Sequence, residues 1–269
     1  MKQQKRNIWV NKKVMYVYLY DSFLEQKKYK SIIKEIENRL TDYGISGKIL
    51  RLNNFIDAKP IIEDEIKRGA KNIVIVGNDK TFGLVLSRGA GSDCVFGFLP
   101  IGAENNTVAS VLGIPVNEES VEVLAKRRKE KLDIGLVNNR FFVSQLHVMP
   151  SKVQVVYDRK FKVTASDKME VVVCNFQPFY WKKDKKDKEI RVVHPQDGKL
   201  EAFLRPLTKN GWFGYKYEEP SIFPFEEMEI IGETAFLVET DGRQTKEINL
   251  KLKLAKSKIE MIVGKNRMF

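Results

Sequence analysis

Between Ile73 and Thr81 the chain reads IVIVGNDKT, an apolar strand pattern followed by a tight turn, a carboxylate and a hydroxyl. Backbone amides at such a strand-to-helix turn point outward and can cradle phosphate oxygens. Asp79 stands where it could bind a metal-nucleotide or take a proton from an attacking hydroxyl. Thr81 is equally a candidate N-cap for the next helix. A second segment, Leu99–Pro115, repeats the plan as LPIGAENNTVASVLGIP: strand, Gly102 loop, then a helix entered at Asn105 and Asn106. Many strands end in a glycine–polar–aspartate turn, so one such loop says little. Two of them after neighbouring strands would face the same crevice.

The elements that must position these loops alternate. Val14–Tyr20 reads as a strand. Tyr29–Asp42 reads as a helix, with Ile32, Ile33, Ile36 and Leu40 at helical spacing and a stop at Gly44. Strand Lys48–Leu52, helix Ala58–Arg68, strand Asn72–Val76 and a helix from Thr81 to Ser87 follow. Val95–Leu99 is the next strand, Asn106–Leu112 a short helix, and Glu118–Arg128 an amphipathic one. This order predicts a doubly wound, mostly parallel sheet covered on both faces, with ligands beyond the carboxyl ends of its strands.

From about Leu132 the pattern becomes β-rich. Leu132–Val137 and Phe141–Val148 are joined by Asn138-Asn139, a hairpin signal. Short strands are predicted at Val153–Asp158, Phe161–Thr164, Met169–Cys174, Ile190–Val193, Leu200–Leu204, Phe236–Thr240 and Ile248–Leu254. The expected architecture is an α/β nucleotide-binding domain over residues 1–130 and an antiparallel β-sandwich domain over 131–269 that completes the cleft between them.

Composition narrows the setting. The two cysteines, Cys94 and Cys174, sit in apolar segments and read as reduced core thiols. His147 and His194 have no Cys or His partner at zinc-ligand spacing. The apolar runs at 71–77 and 95–101 are too short to span a bilayer, and the basic N-terminus leads into no signal-peptide core. A cytoplasmic protein is expected, with peripheral membrane contact left open. A net charge of +12 favours polyanionic partners: nucleotides, nucleic acid or anionic head groups. The densest basic cluster, Lys182–Lys188 beside Tyr180 and Trp181, reads as a solvated hairpin loop, with membrane or nucleic-acid contact as the alternative. No RNA- or DNA-binding motif supports a nucleic-acid partner.

Taken in order, the motifs resemble the diacylglycerol-kinase-type lipid kinases, a family that includes sphingosine kinases and is distantly related to NAD kinases. Gly77-Asn78-Asp79-Lys80-Thr81 is similar to that family's GGDGT nucleotide loop, and Leu99–Asn106 to its LPxGTxND loop. Leu132–Phe142 resembles the entry to the second domain, and Val171–Asn175 a strand ending in Asn. Gln196–Glu201 resembles the DDGxLD turn, Asp241-Gly242 the DGE motif, and Ile259–Gly264 the final strand that returns to the first domain.

The resemblance implies an ATP- and Mg2+-dependent kinase transferring the γ-phosphoryl group to a diacylglycerol-like hydroxyl. Asp79 and Asp241 would be catalytic. Gly77, Asn78, Lys80, Thr81, Gly102 and Asn105 would hold the nucleotide, and Asp197 a structural magnesium. A lipid surface is the implied partner, and a homodimer is compatible.

The departures are equally specific. Lys80 replaces a glycine and is expected to crowd the phosphate. Ala103 and Glu104 replace a threonine and a small residue, and Asn106 replaces an aspartate. Asp21-Ser22 stands in place of an Asn-Pro loop, and Pro178–Trp181 in place of a glycine-rich turn. Arg243 reverses the charge of the DGE glutamate beside the implied acceptor site. Trp212, Phe213 and Tyr215 offer aromatic contact with lipid or a buried turn. A catalytically degenerate nucleotide- or lipid-binding module is therefore the alternative. An NAD kinase relative is disfavoured by the lack of a second nucleotide-recognition motif.

Overall fold

The structure is a computed structural model that describes residues 15–52, 58–102, 104–182, 188–210 and 214–269. Val14, Ala103, Trp212, Phe213 and the 183–187 centre of the lysine cluster lie outside the described residues. No helix among the described residues is long and apolar enough to cross a membrane.

The first sheet is built on strands β1 (Tyr16–Tyr20), β2 (Lys48–Arg51), β3 (Asn72–Gly77), β4 (Val95–Pro100) and β5 (Lys129–Leu132). Helices α1 (Lys30–Asp42), α2 (Ala58–Lys67), α3 (Asp79–Gly89), α4 (Thr107–Val111) and α5 (Ser120–Lys126) connect or follow them. Strands β2, β1, β3 and β4 lie side by side in that order, all parallel. Alternate residues of these strands serve different cores. Val17, Ile73, Ile75 and Phe98 pack with Ile62 of α2 and Phe82 and Val85 of α3. Tyr18, Val74, Val76 and Leu99 pack with Ile36 of α1 and Leu124 of α5. Burial of both faces explains why Ile73–Val76 is a continuous apolar run rather than an alternating one.

The final strand, Ile259–Ile262, inserts between β4 and β5, parallel to the first and antiparallel to the second. The 130/131 boundary therefore falls inside β5, and the chain's end belongs to the first sheet. Gly264 continues this return, its N–H donating to Leu112 O at 2.8 Å. A Cβ on Gly264 would lie 1.7 Å from Gly113 O, a backbone atom that cannot swing aside. Gly264→Ala should therefore destabilise the protein by about 1–3 kcal/mol, the usual cost of overpacking, or more. A thermal or urea melt reads this directly.

The second half is a large antiparallel sheet, eleven-stranded among the described residues. It folds over one core in which Phe142, Leu146, Val155, Val171, Leu204, Ile230, Val238 and Leu250 meet. The Asn138-Asn139 turn is seen as expected, both residues at positive φ (44° and 65°), joining Gly135–Val137 to Arg140–Phe142. Three strands are longer than their sequence pattern. Leu200–Asn210 runs through Pro206, and Glu227–Thr240 is one bulged strand hidden by Gly232 and Glu233; it pairs with Arg243–Leu254. Ser221–Phe225 pairs on one side, with Leu200–Leu204, which lets it hold Pro224. The strand expected at Ile190–Val193 lies instead at Lys188–Arg191, paired with Phe179–Lys182.

Candidate functional site

The carboxyl ends of β3 and β4 meet the β-rich half around a cavity of about 430 Å³. The first half contributes Asn78, Asp79, Lys80, Asn105 and Thr107 to its wall. The second contributes Ser144, Gln145, His147, Gln177, Glu239, Asp241 and Gly242. Every side chain in this wall is polar or charged. The two aspartates singled out in the sequence thus face one space, brought there from strands more than 150 residues apart.

Asp79 is the first residue of α3, and its carboxylate reaches across to the neighbouring loop. It accepts Thr107 N–H at 2.7 Å and Val108 N–H at 3.2 Å, capping α4, while its own N–H donates to Asn105 O at 2.8 Å. One aspartate therefore ties the two loops together. Burial pushes its carboxyl up to about 6, against the opposing pull of the Val108 and Thr107 amides.

Asp241 occupies a left-handed turn (φ 47°) between Glu227–Thr240 and Arg243–Leu254. Its carboxylate accepts Val143 N–H at 2.9 Å, Ser144 N–H at 2.8 Å and Gln145 N–H at 3.4 Å. Desolvation raises this carboxyl too, to about 6, and the three amides only partly offset it. Asp241 gets this close to α3 because residue 83 is glycine: a Cβ there would lie 2.9 Å from Asp241 Cβ. Gly242 (φ 78°) similarly leaves room for Lys80, whose Cγ would be 2.9 Å from a Cβ at 242. The lysine stem lies over the Asp241-Gly242 turn.

Several expectations need correction. Thr81 is not the N-cap. Asn78 is, its side chain accepting Lys80 N–H (3.1 Å) and Thr81 N–H (3.2 Å), while the Thr81 hydroxyl accepts Asn78 N–H in return. The first amides of α3 consequently bond within the protein and do not form the open cradle the turn suggested. Lys80 is not strained, because the helix already starts at Asp79 and Lys80 is absent from the positive-φ positions.

Gly77, Thr81 and Gly102 do not line the cavity. A Cβ on Gly77 would meet Thr81 Oγ1 at 2.5 Å, so this glycine makes room for Thr81. Thr81 is buried and donates to Asp21 Oδ2 at 2.6 Å, joining the end of β1 to α3. Gly102 (φ 91°) turns the second loop and donates to Asn117 Oδ1 at 3.0 Å.

Asp197, expected to hold magnesium, lies outside the cavity wall, with Oδ1 accepting Lys199 N–H at 3.0 Å. The carboxylate beneath that turn is Asp133, which accepts Gly198 N–H at 2.9 Å and pairs with Lys258 at 2.7 Å. Among the described residues no three His, Cys, Asp or Glu side chains are grouped to hold a metal ion. Trp181, in the segment that stands for the glycine-rich turn, packs with Phe179 and Phe203. Arg243 lies outside this cavity, in an adjoining pocket that shares Asp241.

Sequence reasoning missed His147, Gln145, Gln177 and Glu239. Their one signal was the period-2 placing of Gln145 with His147 and of Glu239 with Asp241 on paired strands, where Glu239 faces His147 across the ladder. His147 Nε2 is 2.8 Å from Glu170 Oε1, and Arg205 holds the other Glu170 oxygen at 3.0 Å. Both cysteines are free and buried, as expected.

Comparison with known proteins follows the same lines. The family model of the diacylglycerol kinase catalytic domain matches residues 16–137. No curated protein matches the chain. A crystal structure of a diacylglycerol kinase from Bacillus anthracis str. Sterne superposes with a TM-score of 0.74 at 16% identity, covering 95% of this chain and 98% of that one. A candidate diacylglycerol kinase from the same organism gives 0.74 at 15% identity, with 95% and 99% covered. The likeness to the diacylglycerol kinase catalytic-domain model thus covers residues 16–137, and along nearly its whole length the chain has the fold of these bacterial structures.

Proposed function

We propose that the protein transfers the γ-phosphoryl group of ATP to the hydroxyl of a diacylglycerol-like lipid alcohol. The observation that carries this reading is the convergence of Asp79 and Asp241, from opposite halves of the fold, on one cavity that Lys80 also lines. The donor-set chemistry fits a magnesium–nucleotide. Magnesium keeps several waters and phosphate oxygens and needs only one or two carboxylates, and Asp79 would provide one, leaving Asp241 to act as the base. Lys80 supplies a cation for phosphate oxygens. ATP supplies the phosphoryl group: the acceptor oxygen bonds to the γ-phosphorus, the bond to the β–γ bridging oxygen breaks, and ADP leaves. Asp241 takes the hydroxyl proton, and three backbone amides hold its carboxylate in place.

A carboxyl raised to about 6 acts as a base only above that value. The ionised fraction of Asp79 and Asp241 rises through pH 6, and with it the rate. The kcat/KM profile should climb between about pH 5 and pH 7, and an acid limb near pH 4 would argue against this assignment.

The second reading, binding without turnover, is favoured by one observation: the first amides of α3 bond to Asn78 and Asn105. Thermal shift with magnesium–ATP, followed by ADP release in diacylglycerol-containing vesicles, separates the two. Lipid-dependent ADP release supports the kinase. A ligand-induced rise in Tm with no release supports the binding module.

A further inference from the structure

The β-rich half lines the main cavity with polar side chains whose hydrogen-bonding capacity is largely unused. Glu239 is half-buried there and has no hydrogen bond or ion pair among the described residues. The Gln177 side chain has none either, since only its backbone N–H is bonded, to Ser144 O. His147 uses one ring nitrogen: Nε2 meets Glu170 Oε1 at 2.8 Å, and Arg205 holds the other Glu170 oxygen at 3.0 Å. An ionised carboxylate only accepts, so Nε2 carries the proton and Nδ1 is the nitrogen left for a ligand. Glu239 lies opposite His147 in the ladder, where facing Cβ atoms are about 4.5–5.5 Å apart.

We infer that Glu239, Gln177 and His147 form a head-group subsite, and that the acceptor is a lipid alcohol whose reacting hydroxyl belongs to a sugar or other polyhydroxylated head group. The two oxygens of Glu239 accept from neighbouring hydroxyls, the Gln177 amide both donates and accepts, and His147 Nδ1 takes a further hydroxyl. Diacylglycerol, with one hydroxyl, engages Asp241 and leaves these groups to water. A site built to bond substrate hydroxyls discriminates against an analogue that lacks them.

The strands also give the subsite a direction. Leu237 and Glu239 share one face of the strand Glu227–Thr240, and Asp241 follows in the turn. On the adjoining strand, Gln145, His147 and Met149 share a face in the same way. Both series run from polar to apolar with distance from Asp241, ending in Met149 and in Leu237, which is 43% exposed. Reacting hydroxyl, head group and the start of the lipid follow in that order. Two residues of a strand cover about 7 Å, a span that one sugar ring bridges. This substrate class rests on the phosphotransfer reading of the same cavity; hydroxyl recognition by the subsite does not.

ADP release with diacylglycerol and with monoglucosyl diacylglycerol of the same acyl chains, each in phosphatidylcholine vesicles, tests the inference in wild type, Glu239→Leu and Gln177→Leu. Both residues are half-buried and their side chains unpaired, so the variants should fold, which a melt verifies. The expected kcat/KM of the wild type is at least tenfold higher for the glucosyl lipid, and that ratio should fall at least tenfold in either variant. A general loss of folding lowers both rates together, so the ratio isolates recognition. Equal rates or a preference for diacylglycerol in the wild type overturns the inference, as does a preference that survives in a folded variant.

Release from neither lipid would refute the phosphotransfer reading, and vesicle co-sedimentation then decides the subsite. Wild-type binding at least tenfold tighter to glucosyl-lipid vesicles than to diacylglycerol vesicles, lost in Glu239→Leu, supports hydroxyl recognition. Equal binding to the two kinds of vesicle overturns it.

Discussion

Asp241→Ala should lower lipid-dependent ADP release by about 10²–10⁴-fold, the usual contribution of a general base. The carboxylate has no substitute at its position. The residues that adjoin it or bond to it, Val143, Ser144, Gln145 and Gly242, include no base at neutral pH. Alanine also leaves the Val143 and Ser144 amides without their acceptor, at about 1–3 kcal/mol for each buried donor. A stability loss could therefore mimic a catalytic one. Asp241→Asn resolves this, because one amide oxygen remains to accept while the basic carboxylate is gone. Both variants should lose activity, and magnesium–ATP should still raise the Tm of the asparagine variant. Activity within tenfold of wild type in a folded Asp241→Asn protein would remove Asp241 from the chemistry.

Asp79→Ala should have a different signature, losing stability and nucleotide response together. Its carboxylate caps α4 through Thr107 and Val108 and holds the second loop against the first. Loss of such a cap costs about 0.5–2 kcal/mol, and stranding two partly buried amides puts the expected cost at the upper end. For a chain of this size about 2 kcal/mol lowers the Tm by roughly 4–8 °C. The magnesium–ATP shift should vanish as well, since the residue both lines the cavity and sets the loop spacing. A destabilised variant with an intact nucleotide shift would show that Asp79 is a purely structural cap.

The sequence carried the frame of the site but not its wiring. Ile73–Val76 was legible as a buried strand because both faces of β3 are covered, and the Asn138-Asn139 turn because side chains other than Asn rarely accept its backbone angles. The order of the loops, which lie within the family match over residues 16–137, led to Asp79, and the structure sets that residue in the cavity wall. Asp241 could be placed only through a two-residue motif, since nothing local shows that residue 241 folds back on Gly83 of α3.

The errors share a cause. Whether Asn78 or Thr81 caps α3, and whether the amides stay open, depends on a reciprocal bond between two side chains that either residue type could have made. His147 looked like an isolated histidine because Glu170, which bonds to it, and Arg205, which holds Glu170, come from strands 23 or more residues away. Pro206 hid the continuation of the Leu200–Leu204 pattern to Asn210, and Pro224 hid Ser221–Phe225, a strand the sequence pattern did not suggest.

The most direct test of the central claim is transfer of label from γ-labelled ATP into an organic-extractable product, using wild type and Asp241→Asn side by side at pH 7.5 in mixed diacylglycerol and phosphatidylglycerol vesicles. A cavity assembled for phosphoryl transfer predicts labelled lipid with the wild type and at least a hundredfold less with the variant. Equal labelling by both proteins, or none by a wild type that binds magnesium–ATP, would contradict it.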